Sequence, residues 1–182
     1  EIKQQGLYPY FKPFESEQGP EVLFEGRKII MIGSNNYLGL TNDPRLKEAA
    51  IEAIKKYGTC CTGSRFLNGT LDLHEELEAK IAEWVGKAAA LVFGTGFLAN
   101  LGTVPTIVGR NDIVITDRED HASIFDGCRM SFGSQLKYQH NNMEDLARVI
   151  SSADQAKGLF IVTDGVFSMA GDIADLPEIT KI

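Results

Sequence analysis

A chain of 182 residues with 43% hydrophobic and 24% charged residues has enough apolar material for a sizeable core, and suits one domain or one domain with an appended piece. Its formal net charge of -7 and pI near 5.0 argue against a nucleic-acid surface, and no lysine/arginine cluster offsets them. No apolar run approaches the roughly 18 residues of a membrane span, and the start EIKQQGLYPY lacks the basic and apolar segments of a secretory signal. Cys60, Cys61 and Cys128 have neither a paired framework nor metal-ligand spacing, and His74, His121 and His140 lie far apart. The expectation is a cytoplasmic protein with reduced thiols and no metal.

Residues 1–19 mix aromatics and prolines without a period and predict an extended arm lying on something, a partner subunit being one option. Val22 to Phe24 and Lys28 to Ile32 flank a Glu25-Gly26 turn and predict a hairpin. Ser34 to Leu40, SNNYLGL, is a loop rich in hydrogen-bonding side chains. Asn42 or Asp43 before Pro44 starts a helix whose apolar face is Leu46, Ala50, Ala53, Ile54 and Tyr57, and Gly58 stops it. From Gly58 to Thr70 the chain is rich in glycine and hydroxyls with one arginine, Arg65, which suits a functional loop and a surface cation equally. Asp72 and Glu75 resemble a capping box opening a helix with Leu73, Leu77, Ile81, Trp84 and Val85 on one face and Gly86 beyond its end; His74 falls in the first turn as a surface or capping residue.

Ala89 to Phe93 predicts a short buried strand, Gly94-Thr95-Gly96 a turn, and Phe97 onward a helix disturbed at Pro105. Asp112 to Thr116 predicts a second strand, Ala122 to Met130 a short helix, Gln135 to Tyr138 a strand, and Asn141 or Asn142 the cap of a helix through Ile150. Leu159 to Thr163 predicts the third strand of this set, and Pro177 a helix that the chain end cuts off. Strands alternating with helices give α/β architecture with a largely parallel sheet. In such sheets ligands bind beyond the carboxyl ends of strands, and here three strands end in glycine, hydroxyl or imidazole groups. The turn at Gly94 suits an anion, because the first amides of a helix lack intrahelical acceptors and sit at the positive end of its dipole.

Six segments then stop being generic: SNNYLGL at Ser34, GSRFLNGTLDLHEELE at Gly63, GTGFLANLG at Gly94, DREDHASIFDG at Asp117, HNNMEDL at His140 and TDGVFSMAGDIADLPEI at Thr163. In this order, over nearly the whole chain, they resemble the α-oxoamine synthases. These are pyridoxal-phosphate (PLP) enzymes of fold type I that condense an amino acid with an acyl-coenzyme A and lose carbon dioxide. RFLNGTLD and HNNMEDL are similar to the branch that joins L-serine to palmitoyl-coenzyme A, giving 3-oxosphinganine for sphingolipid synthesis. Branches using glycine with acetyl-coenzyme A or alanine with a pimeloyl thioester remain alternatives, as does a non-catalytic partner subunit of the same fold.

The resemblance implies that the amides of Gly96 and Phe97 hold the cofactor phosphate. It implies that His121 is catalytic, stacking on the pyridine and reaching the substrate carboxylate, and that the Ser168 hydroxyl bonds the cofactor's phenolic oxygen. It places Asn35 beside the amino acid and the Arg65 loop along the acyl entrance of a homodimer, with membrane contact at most peripheral. Residues 1–42 would form an arm and hairpin, and 43–182 the N-terminal part of the PLP-binding large domain. Two departures stand out: Cys60 where many relatives have glycine, and Ala170 where the family is often acidic. The family's aspartate for the pyridinium, its D-x-A-H histidine and its Schiff-base lysine in a T-x-S-K context have no match before Ile182, so the expectation is the N-terminal portion of a longer enzyme.

Overall fold

The computed structural model describes residues 1–8 and 11–182; Pro9 and Tyr10, within the predicted arm, lie outside the described residues. The chain divides into two compact units, Glu1–Leu71 and Asp72–Ile182.

In the first unit the hairpin forms as expected, with β1 (Glu21–Phe24) antiparallel to β2 (Arg27–Ile30) and Val22 opposite Ile29. Glu25 (φ 49°) and Gly26 (φ 70°) both occupy the left-handed region, which a two-residue loop needs to match strand twist. The arm is not wholly extended: Gln5 N–H closes on Glu1 O at 3.1 Å, and further along Glu15 N–H donates to Leu23 O at 2.8 Å, laying that part of the arm on the hairpin. Helix α1 (Pro44–Tyr57) starts where predicted, because Asp43 accepts the Arg45 amide at 2.8 Å and Pro44 is preset for a first turn. Gly58, at φ 82°, ends it.

The second unit opens with α2 (Asp72–Trp84), which stops in a left-handed Gly86 at φ 65° with Lys87 N–H reaching back to Ala82 O at 2.8 Å. The predicted strand at Ala89–Phe93 does not form. A strand needs a neighbour to take its backbone groups, and among the described residues this segment has no ladder partner; the Val92 amide is taken instead by the Glu78 carboxylate at 2.9 Å. Helix α3 (Gly96–Ile107) is also longer than predicted: it carries Pro105 inside it.

The sheet is parallel, in the order β4-β3-β5, with β3 (Asp112–Asp117) central between β4 (Ser134–Tyr138) and β5 (Gly158–Val162). Both faces of β3 are covered, so its apolar run is continuous rather than alternating. Ile113 and Ile115 pack with Tyr138, Leu146, Val149 and Phe167 beneath α5 (Met143–Ser152). Val114 faces the other way, into Val104, Val108, Ile124 and Cys128 of α3 and α4 (Ala122–Met130). Each fully buried branched side chain here stabilises by roughly 1.5–3 kcal/mol. The final helix, α6 (Leu176–Ile179), is capped by Asp175, which accepts the Glu178 amide. No helix of the described residues is long and apolar enough to cross a membrane. The apolar faces of α1 and α2 stay open: α1 buries no residue and Trp84 is 86% exposed.

Residues 163–175 after β5 form a small turn pinned to the sheet. Val166 bridges Ile173, Phe167 N–H donates to Asp172 O at 2.9 Å, and Ser168 sits in the turn at its tip. Between this turn and the end of β3 stands His140, with Nδ1 at 2.9 Å from Asp117 and Nε2 at 2.6 Å from Asp172, its ring edge-on to Phe167 at 4.5 Å. Carboxylates face both ring nitrogens, so both must donate, and the ring is held as the imidazolium. The Asp117 hydrogen bond first, then that of Asp172, raises His140 above its ordinary value, and the His140 bond lowers Asp172 in turn.

Two outcomes follow from this packing. A Cβ at Gly127 would meet Asn100 O of α3 at 2.8 Å and Val104 Cβ at 3.2 Å. Gly127→Ala is expected to cost a net ~1 kcal/mol or more, since overpacking against backbone outweighs the helix propensity gained; a denaturation midpoint that stays level or rises would show that α3 and α4 can part freely. For the His140 clasp, the raised imidazolium stabilises fully below 6.5 and is lost as pH climbs through its higher folded value, whereas the depressed Asp172 gives way only below 3.8. Amide exchange in residues 165–174, corrected for intrinsic rates, should therefore be slow between those limits and quicken above them. In His140→Gln that pH response should vanish, and an unchanged response would assign it to another group.

Candidate cofactor and substrate site

The site is built where α3 and α4 begin. Thr95, in extended backbone, caps α3 by accepting the Leu98 amide at 3.1 Å, and its carbonyl takes the Ala99 amide at 3.0 Å. The amides of Gly96 and Phe97 then have no acceptor among the described residues, and no acidic side chain stands in the first turn to compete for them. A twelve-residue helix adds the positive end of its dipole. Two free amides and that field suit a phosphate-sized anion.

His121 lies beside this terminus. It is the N-cap of α4, and its ring contacts that of Phe97 edge to face, with centroids 6.3 Å apart and planes at 83°. The Nδ1 atom accepts the Ser123 amide at 3.2 Å and stands 2.7 Å from Ser123 Oγ. Asn100, one turn into α3, donates to the same Oγ at 2.8 Å. The imidazole thus bridges the two helix starts, with its other edge exposed.

The strand ends below are tied together by a carboxylate that the sequence did not single out. Asp120, 5% exposed, accepts the Asp117 amide at 2.8 Å with one oxygen, and the Asp164 amide at 2.8 Å and the Thr163 hydroxyl at 3.1 Å with the other. Burial pushes Asp120 up to about 6 despite those three donors. Asp164 in turn accepts the backbone amide of His121 at 2.7 Å. The end of β3, which leads to His121, is thereby joined to the end of β5, which leads to Ser168. The Ser168 side chain is exposed at the turn tip, tethered to His121 through Asp164.

Asn35 and Arg65 belong to the first unit. Asn35 is exposed in an irregular loop where its carbonyl accepts the Tyr37 amide at 2.9 Å. Arg65 is half-buried in a tightly folded loop, its carbonyl accepting the Thr70 hydroxyl at 2.6 Å. Gly69 is required there, because a Cβ would collide with the Gly63 carbonyl. Gly96, Phe97 and His121 come together as one group in the second unit, with Ser168 linked to it. Asn100, Asp120, Ser123 and Asp164 escaped the sequence reading. Only Ser123 had a signal, a hydroxyl two residues after His121 at a predicted helix start; the others depend on contacts across 23 to 44 positions.

The sequence profile of aminotransferase class I and II matches residues 27–182. The chain is 54% identical to a serine palmitoyltransferase of Sphingobacterium spiritivorum, over 100% of this chain and 46% of that protein. It is 48% identical to an 8-amino-7-oxononanoate synthase of Thermoanaerobacter pseudethanolicus, again over 100% of the chain and 46% of the relative. Among solved structures, a serine palmitoyltransferase variant from S. paucimobilis with a bound PLP–myriocin adduct superposes with a TM-score of 0.93 at 37% identity, covering 99% of this chain and 46% of that one. A serine palmitoyltransferase with PLP bound gives 0.92 at 37% identity, with coverage of 99% and 46%. The chain therefore spans about half the length of the relatives it matches. Both kinds of relative fall within the α-oxoamine synthases that the six segments resemble, and the fold is that of a type I PLP transferase. With a profile match over most of its length and a parallel sheet that superposes on these enzymes, the chain belongs to the aminotransferase class I and II family.

Proposed function

We propose that this chain is the N-terminal part of a PLP enzyme that condenses L-serine with palmitoyl-coenzyme A, releasing carbon dioxide and coenzyme A and forming 3-oxosphinganine for sphingolipid synthesis. The observation that carries the reading is the pair of unpaired amides at Gly96 and Phe97 with the His121 ring beside them. They supply a phosphate seat and, next to it, a flat imidazole against which a pyridine ring can stack. The cofactor is pyridoxal phosphate, which when bound acts as an electron sink for a carbanion at the amino-acid Cα. Within that arrangement the exposed edge of His121 holds the substrate carboxylate. Fixing that group sets which Cα bond stands perpendicular to the ring plane, the only orientation in which the electrons of a breaking C–H bond can delocalise. Ser168 steadies the cofactor by donating to its phenolic oxygen, and the turn pinned by His140 holds the serine in place.

Asn35 would meet the amino acid and Arg65 would line the acyl channel of a homodimer in the cytoplasm, with at most peripheral contact to a membrane. Residues 1–42 serve this assembly as arm and hairpin, and residues 43–182 as the start of the large domain. The choice of serine and palmitoyl donor is supported by the relatives bearing that name at 54% and 53% identity. The 48% identity to an 8-amino-7-oxononanoate synthase makes alanine with a pimeloyl thioester the second reading.

Turnover of the full-length enzyme with serine, alanine and glycine, each against palmitoyl, pimeloyl and acetyl donors, decides between them; the serine–palmitoyl pair should give the highest kcat/KM, and preference for another pair would replace this reading. His121→Ala should weaken serine binding roughly 10- to 100-fold, the worth of a hydrogen bond to a charged group. Serine affinity and turnover that match the wild type would take His121 out of the mechanism.

A further inference from the structure

We propose that Asn100 and Ser123 are positioning residues that hold the proton of His121 on Nε2, so that the ring edge facing away from α4 is always a hydrogen-bond donor.

Donor direction around the ring decides which nitrogen carries the hydrogen. The Ser123 amide, 3.2 Å from His121 Nδ1, can only donate and so favours a lone pair on Nδ1, but it is the longer and weaker of the two contacts to that atom and yields to the hydroxyl at 2.7 Å. The Ser123 hydroxyl, 2.7 Å from the same atom, could by itself point either way. Asn100 removes that freedom. Its Nδ2 amino group, 2.8 Å from Ser123 Oγ, also only donates; it occupies an oxygen lone pair and leaves the hydroxyl hydrogen to aim at Nδ1. Two donors converge on one lone pair, and a proton on Nδ1 would face both. The neutral ring then carries its hydrogen on Nε2.

The packing makes this arrangement stiff. Ser123 is 1% exposed, so water cannot stand in for Asn100 or soften the constraint. The span from α3 to α4 is set by Gly127, whose missing side chain lets α4 approach the Asn100 carbonyl, and by Val104 packed against Ile124 and Cys128. On the other side, the His121 amide is anchored to Asp164 at 2.7 Å. Backbone and ring are thus fixed from opposite sides. A neutral imidazole held this way can give a hydrogen bond from Nε2 to an anionic group but cannot accept a proton there, which makes its exposed edge a carboxylate holder rather than a base. That consequence rests on the substrate role proposed above for His121; the direction of the relay does not.

The test uses the full-length enzyme with PLP bound and histidine labelled with 15N, His121→Asn serving to assign the resonance. At neutral pH the wild type should show a protonated Nε2 and a bare Nδ1 at residue 121. In Asn100→Asp the new carboxylate can only accept, so the Ser123 hydroxyl turns to it and offers its oxygen to the ring. The proton should then appear on Nδ1, and the KM for L-serine should rise roughly 10- to 100-fold with the loss of a donor to a charged group. Ser123→Ala should shift the same signals; where that buried change prevents folding, the half-buried Asn100 position carries the experiment. A wild-type ring protonated on Nδ1, or a spectrum unchanged in Asn100→Asp, overturns the relay. A shifted proton with an unaltered serine KM upholds the relay and removes instead the carboxylate contact assigned to His121.

Discussion

The buried carboxylate of Asp120 is the constraint on which the site depends. Two parallel strands leave the sheet side by side, and beyond their ends the chain has no ladder to hold it. Asp120 substitutes for the missing ladder by accepting backbone amides from the end of β3 and from Asp164, the second residue after β5, together with the Thr163 hydroxyl. Asp164, held in this way, passes the constraint on to the His121 backbone. Placing a carboxylate where it is 5% exposed is unfavourable, as its rise to about 6 records, and the three donors offset that penalty. Polar groups buried in this way fix geometry more than they add stability.

The same logic recurs at the next level out. Asp117 is fully buried at the end of β3, where it accepts amides from Glu119 and Asn141 and one hydrogen from His140. His140 extends that network to Asp172, and through it to the turn that carries Ser168. The carboxylates of Asp117, Asp120, Asp164 and Asp172 thus organise the chain segments beyond the strand ends, where no ladder holds them. The apolar layers on the two faces of β3 supply the driving force for folding, being the larger share of buried surface. The polar layer above them decides where the loops go.

Helix starts then convert this scaffold into chemistry. Thr95 and His121 are both N-caps, and each satisfies one amide of its helix while the neighbouring groups stay available. At α3 the remaining free amides suit an anion. At α4 the capping group is itself a side chain with two ring nitrogens, so a single imidazole closes the helix, touches Phe97 and keeps one edge exposed. A ring used for capping has its orientation set before any ligand arrives, which is the physical meaning of preorganisation here.

Much of this is legible without coordinates. The hairpin turn, the Asp43-Pro44 start, the Gly86 stop, α4 and the run DIVITD each follow from local rules of backbone conformation, capping and burial, and the structure reproduces them. The free amides at Gly96 and Phe97 are legible for the same reason, since a helix start leaves its first amides unpaired. Local rules fail at Ala89–Phe93: five apolar residues state a preference for burial but not the presence of a neighbour to pair with, and here Glu78 takes an amide instead. Pro105 misleads likewise, because packing around α3 outweighs the hydrogen bond a proline removes. The distant groups around His121, Asn100 and Asp164, are out of reach altogether. A sequence by itself determines which groups can donate, accept or cap, since those capacities belong to residue types and short spacings; only the tertiary fold decided that Asn100 reaches the Ser123 hydroxyl beside the His121 ring and that Asp164 takes the His121 amide, since that requires helices and strands far apart in the chain to pack at a single distance.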